Sequence, residues 1–210
     1  MIFDCDGVLV DSETISASTL AENLTRIGFP VDLDYVNEYY LGRSFDVIRA
    51  DYLRRVGRPL PQELADAWYG DLFAAFRRDL KPVAGAADVL RRLTIPKCVA
   101  SSSAPARLAL SLEVTGLTPL CGADIFSASM VSRGKPAPDL FLYCAEQMGA
   151  VPGQTLVVED SVTGVMAAVA AGMTAWGFVG GSHYAGRDTA PLRRAGAARI
   201  FASMTEFGLE

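Results

Sequence analysis

Residues 1–13 read MIFDCDGVLVDSE, and this stretch places two carboxylates directly behind a short apolar run. The run is typical of a buried strand, so the pattern puts Asp4 and Asp6 at the tip of that strand. Residues two apart in a strand point to the same side, and we therefore expect both carboxylates to face one pocket, ~6–7 Å apart along the chain. Gly7 lets the chain turn and bring its backbone close to a ligand. Such a repulsive pair is tolerated where a cation lies between the charges or where strain serves chemistry.

Two other interpretations of this first motif are a calcium-binding loop and a simple turn. The calcium loop fails, because EF-hand spacing needs a glycine where Leu9 stands. Asp6 as an ordinary turn residue stays open, since an Asp-x-Asp sequence is weak evidence by itself.

The composition of the chain is that of a folded globular protein. Half of its 210 residues are hydrophobic and a fifth are charged, a balance that disordered chains lack. The length suffices for one full core plus an accessory domain. The formal net charge of -5 argues against a nucleic acid or an anionic membrane surface as partner. Small phosphorylated molecules are not excluded, because a few local cations can outweigh the global charge.

Neither the apolar runs nor the cysteines indicate a membrane or secretion. No run approaches the ~18 uninterrupted apolar residues of a transmembrane helix, and the N-terminus has no basic region followed by an apolar segment. The four cysteines are widely spaced without a CxxC pair, which disfavours a disulfide framework and a zinc site; they are Cys5, Cys98, Cys121 and Cys144. We therefore expect a soluble, cytoplasmic protein. We also expect it to be a monomer.

Two kinds of periodicity divide the chain. After the first motif the apolar spacing predicts helices alone, until the Pro/Gly sequence KPVAG at 81–85 indicates a linker. Beyond it, helices alternate with short apolar strands, which is typical of right-handed crossovers and a parallel sheet. The later strands are predicted at 97–100, 124–128, 155–159, 174–178 and 198–202. The sequence thus predicts an α/β core from residues 1–13 and 82–210, with residues 14–81 inserted as a helical domain.

Three further polar clusters follow predicted strands, which is where ligands bind in open parallel sheets. Ser101, Ser102 and Ser103 end one strand just before a helix, so a hydroxyl and the first helical N–H groups can hold an anion. Lys135 precedes Pro136, whose ring pushes the lysine backbone towards extended geometry and places an ammonium just before a helix. Taken singly, the serines also suit a plain N-cap, and Lys135 suits a solvated surface position.

Glu159 and Asp160 form the third of these clusters, directly after the apolar residues TLVV at 155–158. Two adjacent acids at the end of a central strand are hard to explain by packing, and their natural complement is a hard cation held by oxygen ligands. Carboxylates from two strand ends, completed by phosphate oxygens and waters, suit Mg²⁺.

Taken together, the four clusters resemble the motifs of the haloacid dehalogenase-like hydrolase superfamily. The residues that carry the resemblance are DCDGVLVDSE at 4–13, the serine-ended strand before residue 104, KPAPD at 135–139 and EDS at 159–161. Their order and their places at strand ends match, and the resemblance covers almost the whole chain. The branch that it resembles most has a helical cap after the first motif and includes phosphatases and beta-phosphoglucomutase-like proteins. The fold implied is a Rossmann-like parallel-sheet core with an inserted α-helical cap.

The resemblance implies a Mg²⁺-dependent phosphatase that acts on a small phosphorylated metabolite, in particular a sugar phosphate. It makes Asp4 the nucleophile that forms an aspartyl-phosphate, and Asp6 the general acid and base. The phosphoryl oxygens would be held by Ser101, the backbone N–H of Ser102, and Lys135. The metal would be bound by Asp4, the carbonyl of Asp6, Asp160, and Glu159 directly or through water.

The helical cap is expected to select the substrate. Tyr39, Tyr40 and Arg43 lie at a turn between its predicted helices, where they either face the pocket or pack the helices together. His183 is the one histidine of the chain and follows a predicted strand, which indicates a place at the rim of the site.

Two other functions stay open. The first is a phosphomutase, which returns the phosphoryl group to a sugar. Beta-phosphoglucomutases carry a cap histidine four residues past the Thr or Ser that ends the first motif, and Ser16 stands at that position here, so water is the expected acceptor. The second is a non-enzymatic metabolite-binding protein, whose mark would be a lost nucleophile or metal ligand; none is missing from the motifs.

Overall fold

The computed structural model describes residues 1–40 and 45–208. The chain folds into two compact units. The core unit consists of Met1–Asp11 and Lys81–Glu210, and the helical unit consists of Ser12–Leu80.

The helical unit contains helices α1 (Glu13–Arg26), α2 (Leu33–Tyr39), α3 (Phe45–Val56) and α4 (Glu63–Asp79). Helices α1 and α4 pack together and also share polar contacts. The indole N–H of Trp68 donates to Thr19 Oγ1 at 3.1 Å, and Asp71 accepts hydrogen bonds from Asn23 and Arg26. Leu20 and Leu24 of α1, and Leu72 and Phe76 of α4, are buried. They are four residues apart in each helix, so the apolar spacing of the sequence corresponds to one buried face.

The described part of the core unit forms one parallel sheet of six strands. The strands are β1 (Ile2–Phe3), β2 (Cys98–Ser101), β3 (Ile125–Ser127), β4 (Leu156–Glu159), β5 (Thr174–Phe178) and β6 (Arg199–Phe201), in the order β3-β2-β1-β4-β5-β6. In the central strand, Ile2 pairs with Cys98 on one side and with Val157 on the other. The strand order reverses between β1 and β4, so the carboxyl ends of these two strands form the switch point at which open α/β sheets bind ligands.

The core helices connect these strands, as a parallel sheet requires. They are α5 (Ala86–Arg92), α6 (Pro105–Val114), α7 (Thr118–Cys121), α8 (Asp139–Gln147), α9 (Val162–Ala170) and α10 (Ala190–Arg194). Side chains of α8 and α9, such as Phe141 and Val165, pack on Ile2, Ala100 and Val157 of the sheet, and all five are at most 2% exposed. Because the central strands are buried, they read in the sequence as continuous apolar runs.

The predicted α/β fold with an inserted helical unit is confirmed, with shifts at the ends of elements. The strand predicted at 97–100 begins and ends one residue later, so Ser101 is its last residue. The short helices α7 and α10 had no counterpart in the sequence prediction, because four or five residues carry too little periodicity. The four cysteines are buried free thiols. Among the described helices, none combines the length and the apolar character needed to cross a membrane.

Candidate active site

Asp4 lies at the carboxyl end of β1, and a buried lysine from a distant loop contacts it. Lys135 Nζ is 2.5 Å from Asp4 Oδ1 and 2.5 Å from Glu159 Oε1, and it donates a third hydrogen bond of 3.1 Å to the carbonyl of Ala100. The lysine side chain is only 3% exposed. The contacts exclude a solvated surface lysine and join the ends of β1, β2 and β4.

Glu159 is the last residue of β4, and both of its carboxylate oxygens are engaged. Oε1 accepts from Lys135, whereas Oε2 accepts from the backbone N–H of Ser161 at 2.9 Å and from its hydroxyl at 2.8 Å. Ser161 also caps α9, because its hydroxyl accepts the N–H of Gly164 at 3.0 Å. A Cβ at position 164 would lie 1.9 Å from Glu159 Cδ. Only glycine there leaves room for this carboxylate. Glu159 thus orients Lys135, and its role as a metal ligand stays a prediction.

Asp160 follows β4 and is held by the segment after β5. His183 Nε2 lies 3.1 Å from Asp160 Oδ2, and the hydroxyl of Tyr184 donates to the backbone carbonyl of Asp160. The His183 side chain is 5% exposed, so the structure buries it beside an acid of the site. Gly7 lies against the same carboxylate with a positive φ of 75°, and a Cβ there would be 1.9 Å from Asp160 Oδ2. The turn after Asp6 therefore requires glycine.

Burial and mutual repulsion govern the protonation of these acids. Burial raises the pKa of Asp4 well above its usual range; Lys135 opposes the shift, and the three other acids of the site add to it. The pKa of Asp160 is also raised, first by burial and then by the charge of Glu159. Burial alone would lower the pKa of Lys135, but the two carboxylates in contact outweigh it and raise the pKa. The ammonium therefore stays charged, and a further cation would lower the pKa values of the acids.

Asp6 is held by donors from the segment after β2. Arg107 Nη2 lies 2.8 Å from Asp6 Oδ1, and both side chains are 11% exposed. The hydroxyl of Ser103 donates to Asp6 Oδ2 at 2.6 Å, and that of Ser101 donates to the same oxygen at 3.3 Å. These contacts distinguish Asp6 from an ordinary solvated turn residue, because the carboxylate is fixed through both oxygens.

Sequence reasoning missed Arg107. It stands at the third position of α6, within the first turn, where the helix dipole disfavours a positive charge. A cation in that unfavourable place, close to the three serines, was the sequence feature that could have identified Arg107 as a site residue. Its partner Asp6 is 101 positions away in sequence, so only the fold reveals the pair.

The three serines form a turn between β2 and α6. The hydroxyl of Ser101 accepts the backbone N–H of Ser103 at 3.0 Å, and Ser102 is exposed. The N-cap residue of α6 is Ala104, so none of the serines serves as the plain N-cap. That Ser101 and Ser102 hold a phosphate stays a prediction.

The predicted metal site is tested by its donor chemistry. Within residues 1–40 and 45–208, no three or more His, Cys, Asp or Glu side chains are grouped as a metal site. The predicted set needs fewer, because Mg²⁺ is commonly bound through one or two carboxylates together with phosphate oxygens and waters. Asp4 and Asp160 are both buried at the switch point, and Gly7 brings the turn after Asp6 against Asp160. Two buried carboxylates next to this turn have the oxygen donors that a magnesium ion prefers.

The helical unit contains the remaining predicted substrate residues. Tyr40 is 3% exposed, and its hydroxyl donates to Asp51 Oδ2 at 2.7 Å. Tyr35 donates to the same oxygen at 2.7 Å, so Tyr40 takes part in packing within this unit, and its substrate contact stays a prediction. Tyr39 is 42% exposed. Arg43 lies outside the described residues.

A model of one protein family matches most of the chain. The family is described as haloacid dehalogenase-like hydrolase, and the match spans residues 1–172. This range includes the four motifs around Asp4, Ser101, Lys135 and Asp160.

Three similar proteins match along most of their length. The 6-phosphogluconate phosphatase of Escherichia coli K12 is 26% identical over 184 residues, which cover 87% of this chain and 83% of the relative. The fructose-1-phosphate phosphatase of the same strain is 29% identical over 177 residues, or 83% of this chain and 93% of the relative. A crystal structure of a HAD family hydrolase from Deinococcus radiodurans R1, with bound phosphate and sodium, is 39% identical with a TM-score of 0.80 and covers 98% of this chain and 91% of that one.

Proposed function

Because this chain belongs to the haloacid dehalogenase-like hydrolase family and is a phosphatase, we propose that it hydrolyses a sugar phosphate with Asp4 as nucleophile and Mg²⁺ as cofactor. The observation that carries the proposal is the buried contact of Lys135 with Asp4 Oδ1 and Glu159 Oε1. This contact holds the Lys135 ammonium at the carboxylate that would attack. Both lie at the switch point of the sheet, where the negative charge of a bound phosphoryl group must be neutralised.

The reaction that we propose has two displacement steps. In the first, an Asp4 carboxylate oxygen attacks phosphorus, the bond between phosphorus and the ester oxygen breaks, and the carboxyl of Asp6 donates its proton to the leaving oxygen. In the second, water attacks the phosphorus of the aspartyl-phosphate, the bond to Asp4 breaks, and the Asp6 carboxylate accepts the proton of that water. Inorganic phosphate leaves, and both acids return to their starting states.

Three further residues would hold the phosphoryl group during both steps. Lys135 contributes a buried ammonium, and Ser101 with the backbone N–H of Ser102 contributes donors at the end of β2. The phosphate bound to the Deinococcus radiodurans relative supports such a site. Mg²⁺, when bound, supplies further positive charge to the phosphoryl oxygens; Asp4, Asp160 and the carbonyl of Asp6 would hold it, with Glu159 directly or through water.

The substrate class rests on the relatives. Two phosphatases that match over most of their length are named for 6-phosphogluconate and fructose 1-phosphate. These substrates share a phosphate ester on a polyhydroxylated carbon chain, and we propose the same class here. That the helical unit selects among such esters, with Arg43, Tyr40 and His183 as candidate contacts, is part of the proposal.

Water is the proposed acceptor of the phosphoryl group. In beta-phosphoglucomutases, which this chain resembles, a cap histidine assists transfer to a sugar. Ser16 stands at that position here. The Ser16 hydroxyl is buried and donates to the carbonyl of Ser12 at 2.8 Å. A hydroxyl used in this way is no substitute for a base of near-neutral pKa, which supports hydrolysis over transfer.

The test is phosphate release from a panel of phosphorylated metabolites in the presence of Mg²⁺. We expect turnover of one or more sugar phosphates by the wild-type protein. Asp4→Asn should lose more than ~99% of the wild-type turnover. A hundredfold loss corresponds to only ~2.7 kcal/mol of activation free energy, and a covalent nucleophile contributes far more than that. Asp88→Asn removes a carboxylate that is 73% exposed on α5 and should retain full activity. Phosphate release by Asp4→Asn above about a tenth of wild type, a loss of only ~1.4 kcal/mol, contradicts the nucleophile.

A second measurement separates hydrolysis from transfer. The protein is incubated with hexose 1-phosphates, Mg²⁺ and a hexose bisphosphate, and the products are separated. Inorganic phosphate as the main product supports the proposal. Hexose 6-phosphate as the main product contradicts it and favours a phosphomutase.

A further inference from the structure

We propose that Arg107 is a positioning residue for the proton-transfer step, and that it acts by fixing the orientation of the Asp6 carboxylate. The inference rests on the proposed function, in which Asp6 gives a proton to the leaving oxygen. Its basis is the ion pair between Arg107 Nη2 and Asp6 Oδ1 at 2.8 Å, with both side chains only 11% exposed.

The burial of Arg107 needs an explanation that its own helix does not supply. The first turn of α6 disfavours a cation through the helix dipole, and a buried guanidinium is costly unless it is paired. Ordinary surface pairs of this protein look different: in the pair of Arg91 with Asp88, the side chains are 59% and 73% exposed. The ion pair with Asp6 compensates part of this cost and places the guanidinium against the carboxylate.

The two oxygens of Asp6 have different partners, and this fixes the plane of the carboxylate. Arg107 holds Oδ1, while Ser103 holds Oδ2 with a short contact of 2.6 Å. Ser101 contributes only a long contact of 3.3 Å to Oδ2, and in the proposed reaction its hydroxyl is needed by the phosphoryl group. With substrate bound, Arg107 and Ser103 remain to orient Asp6.

In this scheme Arg107 touches no reacting atom and acts through Asp6. Proton donation matters most when the leaving group is a poor one. An alkyl ester such as glycerol 2-phosphate releases an alkoxide that must be protonated, whereas p-nitrophenyl phosphate releases a phenolate that leaves without protonation. Loss of Arg107 should therefore harm the first ester more than the second.

The experiment compares kcat/KM for these two esters, because this quantity includes the first displacement. A positioned general acid contributes typically 10²–10⁴-fold, so Arg107→Ala should lower kcat/KM for glycerol 2-phosphate by about 30-fold or more. The fall for p-nitrophenyl phosphate should stay within about 5-fold, since that ester gains little from a general acid. Arg107→Lys should recover part of the loss, and Arg91→Ala, the exposed control on α5, should match wild type on both esters.

A double variant tests whether the effect passes through Asp6. In an Asp6→Asn background, Arg107→Ala should cause no further loss with glycerol 2-phosphate, because residues that act as one unit are not additive. The double variant also removes both charges of the pair, so it keeps the test informative if Arg107→Ala alone folds poorly by circular dichroism.

Two results overturn the positioning role while leaving the phosphatase intact. One is an equal fall for both esters in Arg107→Ala, which would indicate that Arg107 holds the phosphoryl group or the fold. The other is a full additional loss in the Asp6→Asn background. A wild-type protein that releases phosphate from neither ester nor any sugar phosphate refutes the proposed function itself, and the role of Arg107 falls with it.

Discussion

Replacing Gly164 by alanine tests how tightly the site is packed. Helix propensity alone predicts that this change raises the free energy of unfolding, whereas packing against Glu159 predicts that it lowers it. Gly164 lies in α9, where alanine is preferred over glycine by about 1 kcal/mol. A Cβ at this position, however, would lie 1.9 Å from both Cδ and Oε1 of Glu159. Glu159 is 1% exposed, so its carboxylate has no solvent to move into. Gly164→Ala must therefore displace it from Lys135 and Ser161.

The expected size follows from what the displaced carboxylate loses. Breaking a buried ion pair costs about 3–5 kcal/mol, which exceeds the ~1 kcal/mol gained from helix propensity. Gly164→Ala should therefore lower the free energy of unfolding by about 2–4 kcal/mol. Gly70 is the matched control: it lies inside α4, and a Cβ there would meet nothing within 4 Å. Gly70→Ala should raise the free energy of unfolding by about 0.5–1 kcal/mol.

The assay is urea unfolding followed by far-UV circular dichroism, with linear extrapolation to water. A Glu159→Ala background adds the decisive comparison, because there the clashing carboxylate is gone. In that background, Gly164→Ala should no longer destabilise the protein. The reasoning is refuted if Gly164→Ala alone is as stable as wild type, or if its cost is the same with and without Glu159.

Two further predictions concern the metal and the helical unit. Phosphate release should stop in excess EDTA and return when Mg²⁺ is added, and undiminished turnover in EDTA would contradict the proposed cofactor. Mg²⁺ should raise the Tm of the wild-type protein, and Asp160→Ala should lose this rise. Asp51→Asn should lower the free energy of unfolding at pH 7 by about 1–3 kcal/mol, because a carboxylate whose side chain is 10% exposed accepts from Tyr35, Tyr40 and Arg54. Burial alone would raise the pKa of Asp51, but the hydrogen bonds from Tyr40 and Arg54 outweigh it and lower the pKa. The stabilisation is therefore present above the unfolded-state pKa of about 3.9 and is lost as pH falls through the folded-state value. The free energies of unfolding of wild type and variant should begin to converge as pH falls below ~4 and should meet once pH is below the folded-state pKa. A gap that persists undiminished at pH 2 would contradict this origin.

The sequence by itself determined the class of fold and which residue types stand at the strand ends. Short apolar runs between helical stretches predicted the parallel sheet, because strands buried on both faces tolerate few polar residues. Polar clusters at the ends of those runs predicted the four motifs, including Asp4 and Lys135. This information is local: it depends on which residue types follow one another, and it survives small errors in element ends such as the one-residue shift of β2.

The tertiary structure alone decided which of these groups touch. Lys135 contacts Asp4 from 131 positions away, and Arg107 contacts Asp6 from 101; no periodicity encodes such pairs. His183, expected at a rim, is instead buried against Asp160, and Tyr40 is engaged by Asp51 within its own unit. The physical reason is that a side chain's local preferences are worth tenths of a kcal/mol to about 1 kcal/mol. A buried charge without its partner costs several kcal/mol. Long-range pairing therefore determines where these residues lie.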